Sequence, residues 1–264
     1  MSTPTFSSGP LIMGASGRLG QALARVWDGP APVWQTRGGA GGTLAWDILN
    51  APAPELPDIG GIVVLAGVTA GSAAELALNT DLALAGAELG TRLGVPVLVA
   101  STQAVYGPQP GLLREDAPLM PASDYGRAKR AMEAAVAAPH VTCLRIGNVA
   151  GCDALAAGIA QGGVVLDRFA DGQGPRRAML GPRDLCHVIQ GLLAAPARPP
   201  VLNVARPGLV AMADVLMAAG VAFDWRDAPP NALPELGLDV GLLKGICPLP
   251  AADAADMAAQ GGLK

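Results

Sequence analysis

Pro10-Leu11-Ile12-Met13-Gly14-Ala15-Ser16-Gly17-Arg18-Leu19-Gly20 is the stretch on which the reading of this chain turns. A short apolar run feeds a glycine-rich turn, and Gln21-Ala22-Leu23-Ala24-Arg25-Val26-Trp27 then brings apolar residues at helical spacing. Strand, glycine turn and helix in that order predict a phosphate-binding loop. Glycine permits positive φ and close backbone approach, and the exposed N–H groups at a helix N-terminus meet the charge of a pyrophosphate. In a chain with 35 glycines such a pattern also arises as an ordinary turn, so the remaining residues have to decide.

Composition narrows the field. At 264 residues and 51% apolar, the chain can bury a large core as one α/β domain, alone or with a small appendage. A net charge of -4, a pI near 5.1 and no segment dense in Lys and Arg argue against nucleic acid as a partner and favour a small-molecule substrate. Met1 to Ser8 has neither a basic start nor an apolar core, so it reads as a loose lead-in rather than a secretory signal. No apolar stretch is long enough for a membrane span, because the run from Ile62 meets glycines and Glu75. Cys143, Cys152, Cys186 and Cys247 show no metal-ligand spacing, and His140 and His187 do not complete one. Buried reduced thiols, no metal and a cytoplasmic location are the expectations.

Further along, Ala31 to Arg37 reads as a second strand and Thr43 to Ile48 as a short third one. Ala51 to Pro57 is a linking loop, and Gly61 to Gly67 is a buried central strand. Ala73 to Leu93 predicts a long helix, closed by Gly94, and Val95 to Ala100 the next strand. Strands alternating with helices of this length imply an α/β fold with a doubly wound parallel sheet, its ligand crevice at the carboxyl ends of the strands. Ala154 to Gln161 reads as a helix, Gly162 to Pro175 as a glycine-rich segment that could line a substrate cleft, and Asp184 to Leu193 as another helix. We place a dinucleotide-binding core at residues 9–150 and a small, mainly substrate-binding region at 151–264. Parts of 180–205 return to the core. The tail from Pro207 reads as small helices.

Two more stretches carry chemistry: Ser101-Thr102-Gln103-Ala104-Val105-Tyr106-Gly107 and Tyr125-Gly126-Arg127-Ala128-Lys129. The glycine loop, S-T-x-x-V-Y-G and Y-x-x-x-K, in this order, resemble the extended short-chain dehydrogenase/reductase family, also called the NAD-dependent epimerase/dehydratase family. The chain's only two tyrosines, Tyr106 and Tyr125, fall inside these pieces. Asp47-Ile48, Asn79-Thr80 through Gly86, Leu144 to Val149, and Arg177 with Asp184 extend the similarity over about residues 9 to 205.

The resemblance implies a Rossmann-type fold and an NAD(P)-dependent oxidoreductase acting on a secondary alcohol or ketone of a sugar-like or other small polar substrate. Tyr125 would be the acid/base, Lys129 would also bind the nicotinamide ribose, and Thr102 would orient the reacting oxygen. One helical turn separates Tyr125 from Lys129, so the ammonium, together with an oxidised nicotinamide, is expected to pull the phenol's pKa downward. Gly14, Ser16, Gly17, Arg18, Leu19, Gly20, Arg37, Asp47, Ile48, Ala66, Gly67, Tyr125, Lys129 and Ile146 would hold the cofactor. Thr102, Asn148 and Arg177 would hold the substrate. Family dehydratases carry an Asp-Glu pair after the hydroxyl residue; Gln103-Ala104 stands here instead, which argues against dehydration. A sugar epimerase, or a non-catalytic dinucleotide-binding or sensor protein, would share the same glycine loop. The chain is short for a nucleotide-sugar enzyme, which puts a large bipartite substrate in doubt.

Arg37 bears on cofactor choice. At the end of the second strand NAD-binding folds place an acid on the ribose 2′-OH, whereas an Arg there accepts a 2′-phosphate. Arg37, with Arg18 nearby, therefore predicts NADP over NAD, although a solvated turn residue would look the same. By the same resemblance, Ala73 to Leu93 and Tyr125 to Ala137 could pair with their copies in a homodimer.

Overall fold

The computed structural model describes residues 8–263, so the lead-in expected at Met1 to Ser8 lies, but for Ser8, outside the described residues. Strand β1 (Leu11–Met13) passes through the glycine turn into α1 (Arg18–Val26), followed by β2 (Val33–Thr36), β3 (Leu44–Ala45), β4 (Ile62–Val64), α2 (Ala73–Leu93) and β5 (Val97–Thr102). A 3-10 turn at Gln103–Val105 leads to β6 (Leu112–Leu113), α3 (Asp124–Ala135), β7 (Val141–Ile146), β8 (Asn148–Val149) and α4 (Ala154–Ala160). Then come β9 (Val165–Arg168), β10 (Arg176–Arg177), β11 (Met179–Leu180), α5 (Pro182–Ala194) and β12 (Val201–Val204). The chain ends with β13 (Val210–Ala211), α6 (Met212–Ala218), β14 (Asp224–Asp227), β15 (Glu235–Leu238), α7 (Gly241–Ile246) and α8 (Ala254–Gly261).

The main sheet has seven strands in the order β12-β7-β5-β4-β1-β2-β3, all paired in parallel. Both of its faces are covered, as the continuous apolar runs require. Leu11 and Met13 pack with Val64, Ala83 and Met132 under α2 and α3. Ile12, pointing the other way, packs with Leu23, Val63 and Leu185 under α1 and α5. This is the expected doubly wound α/β fold. The order in which successive strands are added reverses between β1 and β4, so the crevice opens where the glycine loop leaves β1.

Several boundaries differ from the sequence reading for physical reasons. The strand expected at Thr43 to Ile48 is ordered as a strand only at Leu44–Ala45, because Asn50 and Ala51 turn back onto the Asp47 carbonyl. The strand expected at Val95 to Ala100 starts later, since the Val95 N–H closes the end of α2 on the Gly90 carbonyl, and it extends through Thr102. The glycine-rich segment contains β9, paired with β14. The tail, expected as helices alone, also supplies three strands. Two of them, β13 and β15, join β10 and β6 in a four-stranded sheet. Those partners are distant in sequence, so no local pattern announces them. Leu155, Leu166, Met179, Val210, Leu216 and Met257 form a separate apolar cluster there.

Candidate functional site

The glycine loop is built for an anion. Gly14 sits at φ +89°, and a Cβ on it would stand 2.5 Å from the Ala66 backbone nitrogen. A Cβ on Gly20 would stand 2.6 Å from the Gly14 carbonyl, so only glycine lets α1 begin this close to the loop. The loop is pinned from below: buried Gln35 accepts from the Gly14 N–H at 2.9 Å and donates to the Trp46 carbonyl at 2.6 Å. Gly17 precedes α1 without a side-chain cap and the first turn carries no acid, which leaves its N–H groups open to a ligand.

Two cavities flank this loop. One, of about 400 Å³, is lined by Gly14, Ser16, Arg37, Asp47, Ile48 and Ala66 among others. The other, of about 490 Å³, gathers Gly17, Arg18, Leu19, Gly20, Thr102, Tyr125, Lys129, Ile146 and Asn148, and Gly67 lines both. The two spaces on either side of a bare helix N-terminus fit the two halves of a dinucleotide. Arg37 is mostly exposed, with its Nε 4.0 Å from Asp47 Oδ2.

Arg177 is the exception among the expected residues. Its guanidinium donates to the carbonyls of Arg176 (2.8 Å), Pro234 (3.0 Å) and Leu233 (3.2 Å), and it lines neither cavity.

At the catalytic end, neighbouring strand residues divide the work. Thr102 faces the larger cavity, while Ser101 donates at 2.5 Å to Glu133 on α3. Glu133 also receives Arg145 from β7 at 2.8 Å, and the same guanidinium donates to the Tyr106 hydroxyl at 2.9 Å. Tyr106, fully buried, donates in turn to Asn203 at 2.7 Å. This network ties α3 to the sheet. It thereby fixes where Tyr125 and Lys129, both on α3, stand relative to Thr102.

The expected downward pull on Tyr125 is not what the structure shows. Burial pushes the phenol's pKa up, outweighing the adjacent Thr102 hydroxyl and the charge of Arg18. The Lys129 ammonium is held by the Ala100 carbonyl at 2.8 Å, and burial lowers its own pKa to about 8. Its Nζ lies at the Gly67 backbone, 3.4 Å from where a Cβ would be.

Sequence reasoning missed three residues of the site. Asn79 clasps Val68 through both its amide groups (3.2 and 2.9 Å), shaping the wall beside Gly67. Gln103, noted only as no acid, donates to Asn148 at 2.7 Å. Asp153 caps α4 through Oδ1, while its buried Oδ2 has no partner and burial raises its pKa. An Asp before an apolar helix was a readable capping signal, but its place beside the cavity was not. The thiols are free: Cys143, Cys186 and Cys247 are buried, and Cys152 is half-buried at the cavity. His187 is exposed, and His140 contacts the Ala87 carbonyl and Thr91. Among the described residues there is no cluster of His, Cys, Asp and Glu that could hold a metal, and no helix long and apolar enough to cross a membrane.

Comparison with known proteins agrees with this fold. MoeE5 in complex with UDP-glucose and NAD superposes with a TM-score of 0.73 at 21% identity, covering 97% of this chain and 98% of that one. The UDP-N-acetylglucosamine 4-epimerase of Methanobrevibacter ruminantium M1 gives 0.75 at 18%, covering 97% and 98%. DesIV, a dTDP-glucose 4,6-dehydratase of Streptomyces venezuelae with NAD bound, gives 0.73 at 20%, covering 96% of each. No curated protein sequence matches the chain. The model of the NAD dependent epimerase/dehydratase family matches residues 47–188, more than half of the sequence. With the glycine loop, Tyr125 and Lys129 around one crevice, the chain belongs to the NAD dependent epimerase/dehydratase family, NAD(P)-using enzymes of the extended short-chain dehydrogenase/reductase type.

Proposed function

We propose that this enzyme transfers hydride between a nicotinamide cofactor and a secondary alcohol or ketone, with Tyr125 as the proton-transfer group. The observation that carries the reading is the convergence of Thr102, Tyr125 and Lys129 on the cavity that the glycine loop also lines. A bound nicotinamide supplies or accepts the hydride. Thr102 hydrogen-bonds the reacting oxygen, and Tyr125 passes a proton to or from it. Burial raises the Tyr125 phenol's pKa in the protein alone, so a charge brought by the cofactor would be needed to draw the proton off in the oxidising direction. Lys129 Nζ, beside Gly67 and Asn79, is placed to bind the nicotinamide ribose. Gln103 has no acid to offer and is engaged by Asn148, which speaks against dehydration.

Of the two nicotinamide cofactors, NADP(H) is the better fit. Arg37 borders the smaller cavity with most of its guanidinium free to meet a 2′-phosphate. A homodimer formed through α2 and α3, located in the cytoplasm, completes the proposal. Light scattering that returns a monomer at micromolar concentration removes the dimer.

The deciding experiment is a screen of secondary alcohols and ketones, including sugars, against the parent and Tyr125→Phe. Turnover should fall about a hundredfold or more in the variant, with cofactor affinity unchanged. Unchanged turnover, or none in either protein, points to a dinucleotide-binding protein without this chemistry. Conversion without net change in cofactor redox state, read from the absorbance of the reduced nicotinamide, identifies an epimerase instead.

A further inference from the structure

Thr102 opens the 3-10 turn Gln103–Val105, and the turn has a cavity on each side. One is the 490 Å³ cavity with Thr102, Tyr125 and Asn148. The second, of about 350 Å³, lies between this turn and the start of α3 on one side and β6 and β15 on the other. Gln103 lines the second cavity and donates at 2.7 Å to Asn148, which lines the first, so one hydrogen-bonded pair stands between them. A molecule with its reacting carbon at Thr102 and Tyr125 would have to pass this pair to reach the second cavity.

The second cavity's chemistry differs from that of the first. Leu113, Leu236, Leu238 and Pro108 supply its apolar walls, and Gln103 and Asn231 supply uncharged hydrogen-bonding groups. None of the described residues lining it carries a charge. The two arginines on β10 are already engaged nearby: Arg176 pairs with Glu235 at 3.1 Å, and Arg177 is held by three backbone carbonyls. A diphosphate moved from water into such walls would lose its hydration without gaining a cation. An uncharged ring-sized body would gain by the burial of its apolar surface.

We propose that the second cavity is the subsite for the non-reacting part of the substrate, and that this part is uncharged and largely apolar, so the substrate is a neutral secondary alcohol or ketone rather than a nucleotide-linked sugar. The proposal rests on the oxidoreductase reading for the placement of the reacting carbon. It specifies the substrate class that this reading leaves open.

The test uses the whole chain saturated with cofactor, titrated calorimetrically with benzylacetone, with its alcohol and with UDP-glucose. The neutral pair should bind about tenfold or more tighter than UDP-glucose. Ala122→Phe, which places a ring at the cavity's exposed rim, should weaken the neutral pair about tenfold and leave cofactor binding within about twofold. Unaltered cofactor binding shows that the variant is folded. Tighter binding of UDP-glucose, binding of neither class, or neutral binding indifferent to Ala122→Phe overturns the proposal. The two readings separate cleanly. Neutral ligands that bind and respond to Ala122→Phe without any turnover support the subsite and sink the oxidoreductase reading. Tyr125-dependent turnover of UDP-glucose with no neutral binding does the reverse.

Discussion

Arg145 and Arg177 show how differently the two sides of the cleft treat a cation. Arg145, about 95% buried, is clasped by a carboxylate, a phenol and a carbonyl that come from α3, the 103–107 segment and Glu115. Arg177, half-buried, donates to the backbone carbonyls of Arg176 on its own strand and of Leu233 and Pro234 on the approach to β15, and desolvation lowers its pKa. The catalytic side is thus locked by charge pairs that cross three elements. Around Arg177 the other side is held by small strands and backbone carbonyls, its charge pairs Arg176–Glu235 and Arg226–Asp167 lying at the surface. In the proposed reading, the first side is the platform for hydride and proton transfer and the second is the wall that meets the substrate.

Removing Glu133 should do the most damage to this contrast. Glu133→Ala leaves the buried Arg145 guanidinium without its carboxylate, and breaking such a pair costs about 3 to 5 kcal/mol. Denaturant unfolding at neutral pH reads the loss directly. A change below about 1 kcal/mol would mean that the network is not what fixes α3 to the sheet.

Lys129 offers the next largest effect, and it depends on pH. Its folded pKa of about 8 lies below the ordinary 10.5. Between those values the unfolded chain binds the extra proton, so the residue's contribution to stability is lowest below pH 8 and rises as pH climbs through the window. The rise amounts to about 3 kcal/mol at 1.36 kcal/mol per unit. Lys129→Met removes the titration. The stability difference between parent and variant should therefore shift in the parent's favour between pH 7 and pH 10.5, and a flat difference would refute burial as the cause.

How much of this was legible in the sequence follows from which contacts are local. The strand–glycine turn–helix unit and the capped helix from Ala73 to Leu93 are patterns within a few residues and form as read, and Tyr125 and Lys129 fall on one helix. The S-T-x-x-V-Y-G segment was legible as a motif, yet the separate tasks of its residues were not. Ser101 and Tyr106 serve the buried network, while Thr102 faces the cavity with its hydroxyl outside that network. The tail was misread because β15 finds its partners at Arg176 and Leu112, far up the chain. Arg177 was assigned by motif, and its three carbonyl partners depend on where that same strand arrives. The burial that raises the Tyr125 pKa in the protein alone was not legible, because spacing reports the neighbouring ammonium and says nothing of burial.

Cofactor choice carries a smaller free energy. Charged hydrogen bonds of the kind Arg37 can offer a 2′-phosphate are worth about 1.5 to 3 kcal/mol. Asp47, within ion-pair distance of Arg37 in this structure, competes for the guanidinium, so the lower end is expected: NADP(H) binding about tenfold tighter than NAD(H), lost in Arg37→Ala. Equal or tighter binding of NAD(H) by the parent, or undiminished NADP(H) affinity in the variant, defeats it.

The smallest effect belongs to Arg177 and returns to the opening contrast. Its three hydrogen bonds run to carbonyls near the surface, where water can replace a lost donor, and no buried countercharge is stranded when the guanidinium goes. Arg177→Met, which keeps much of the aliphatic stem's packing, should therefore cost about 1 kcal/mol, well below the Glu133→Ala loss. If neutral walls define the substrate side, the variant should also keep its affinity for cofactor and for benzylacetone within about twofold. A much larger loss of stability would show that the substrate side, too, depends on a locked cation. Loss of affinity for an anionic substrate, with stability preserved, would instead return Arg177 to the binding role that its motif suggested.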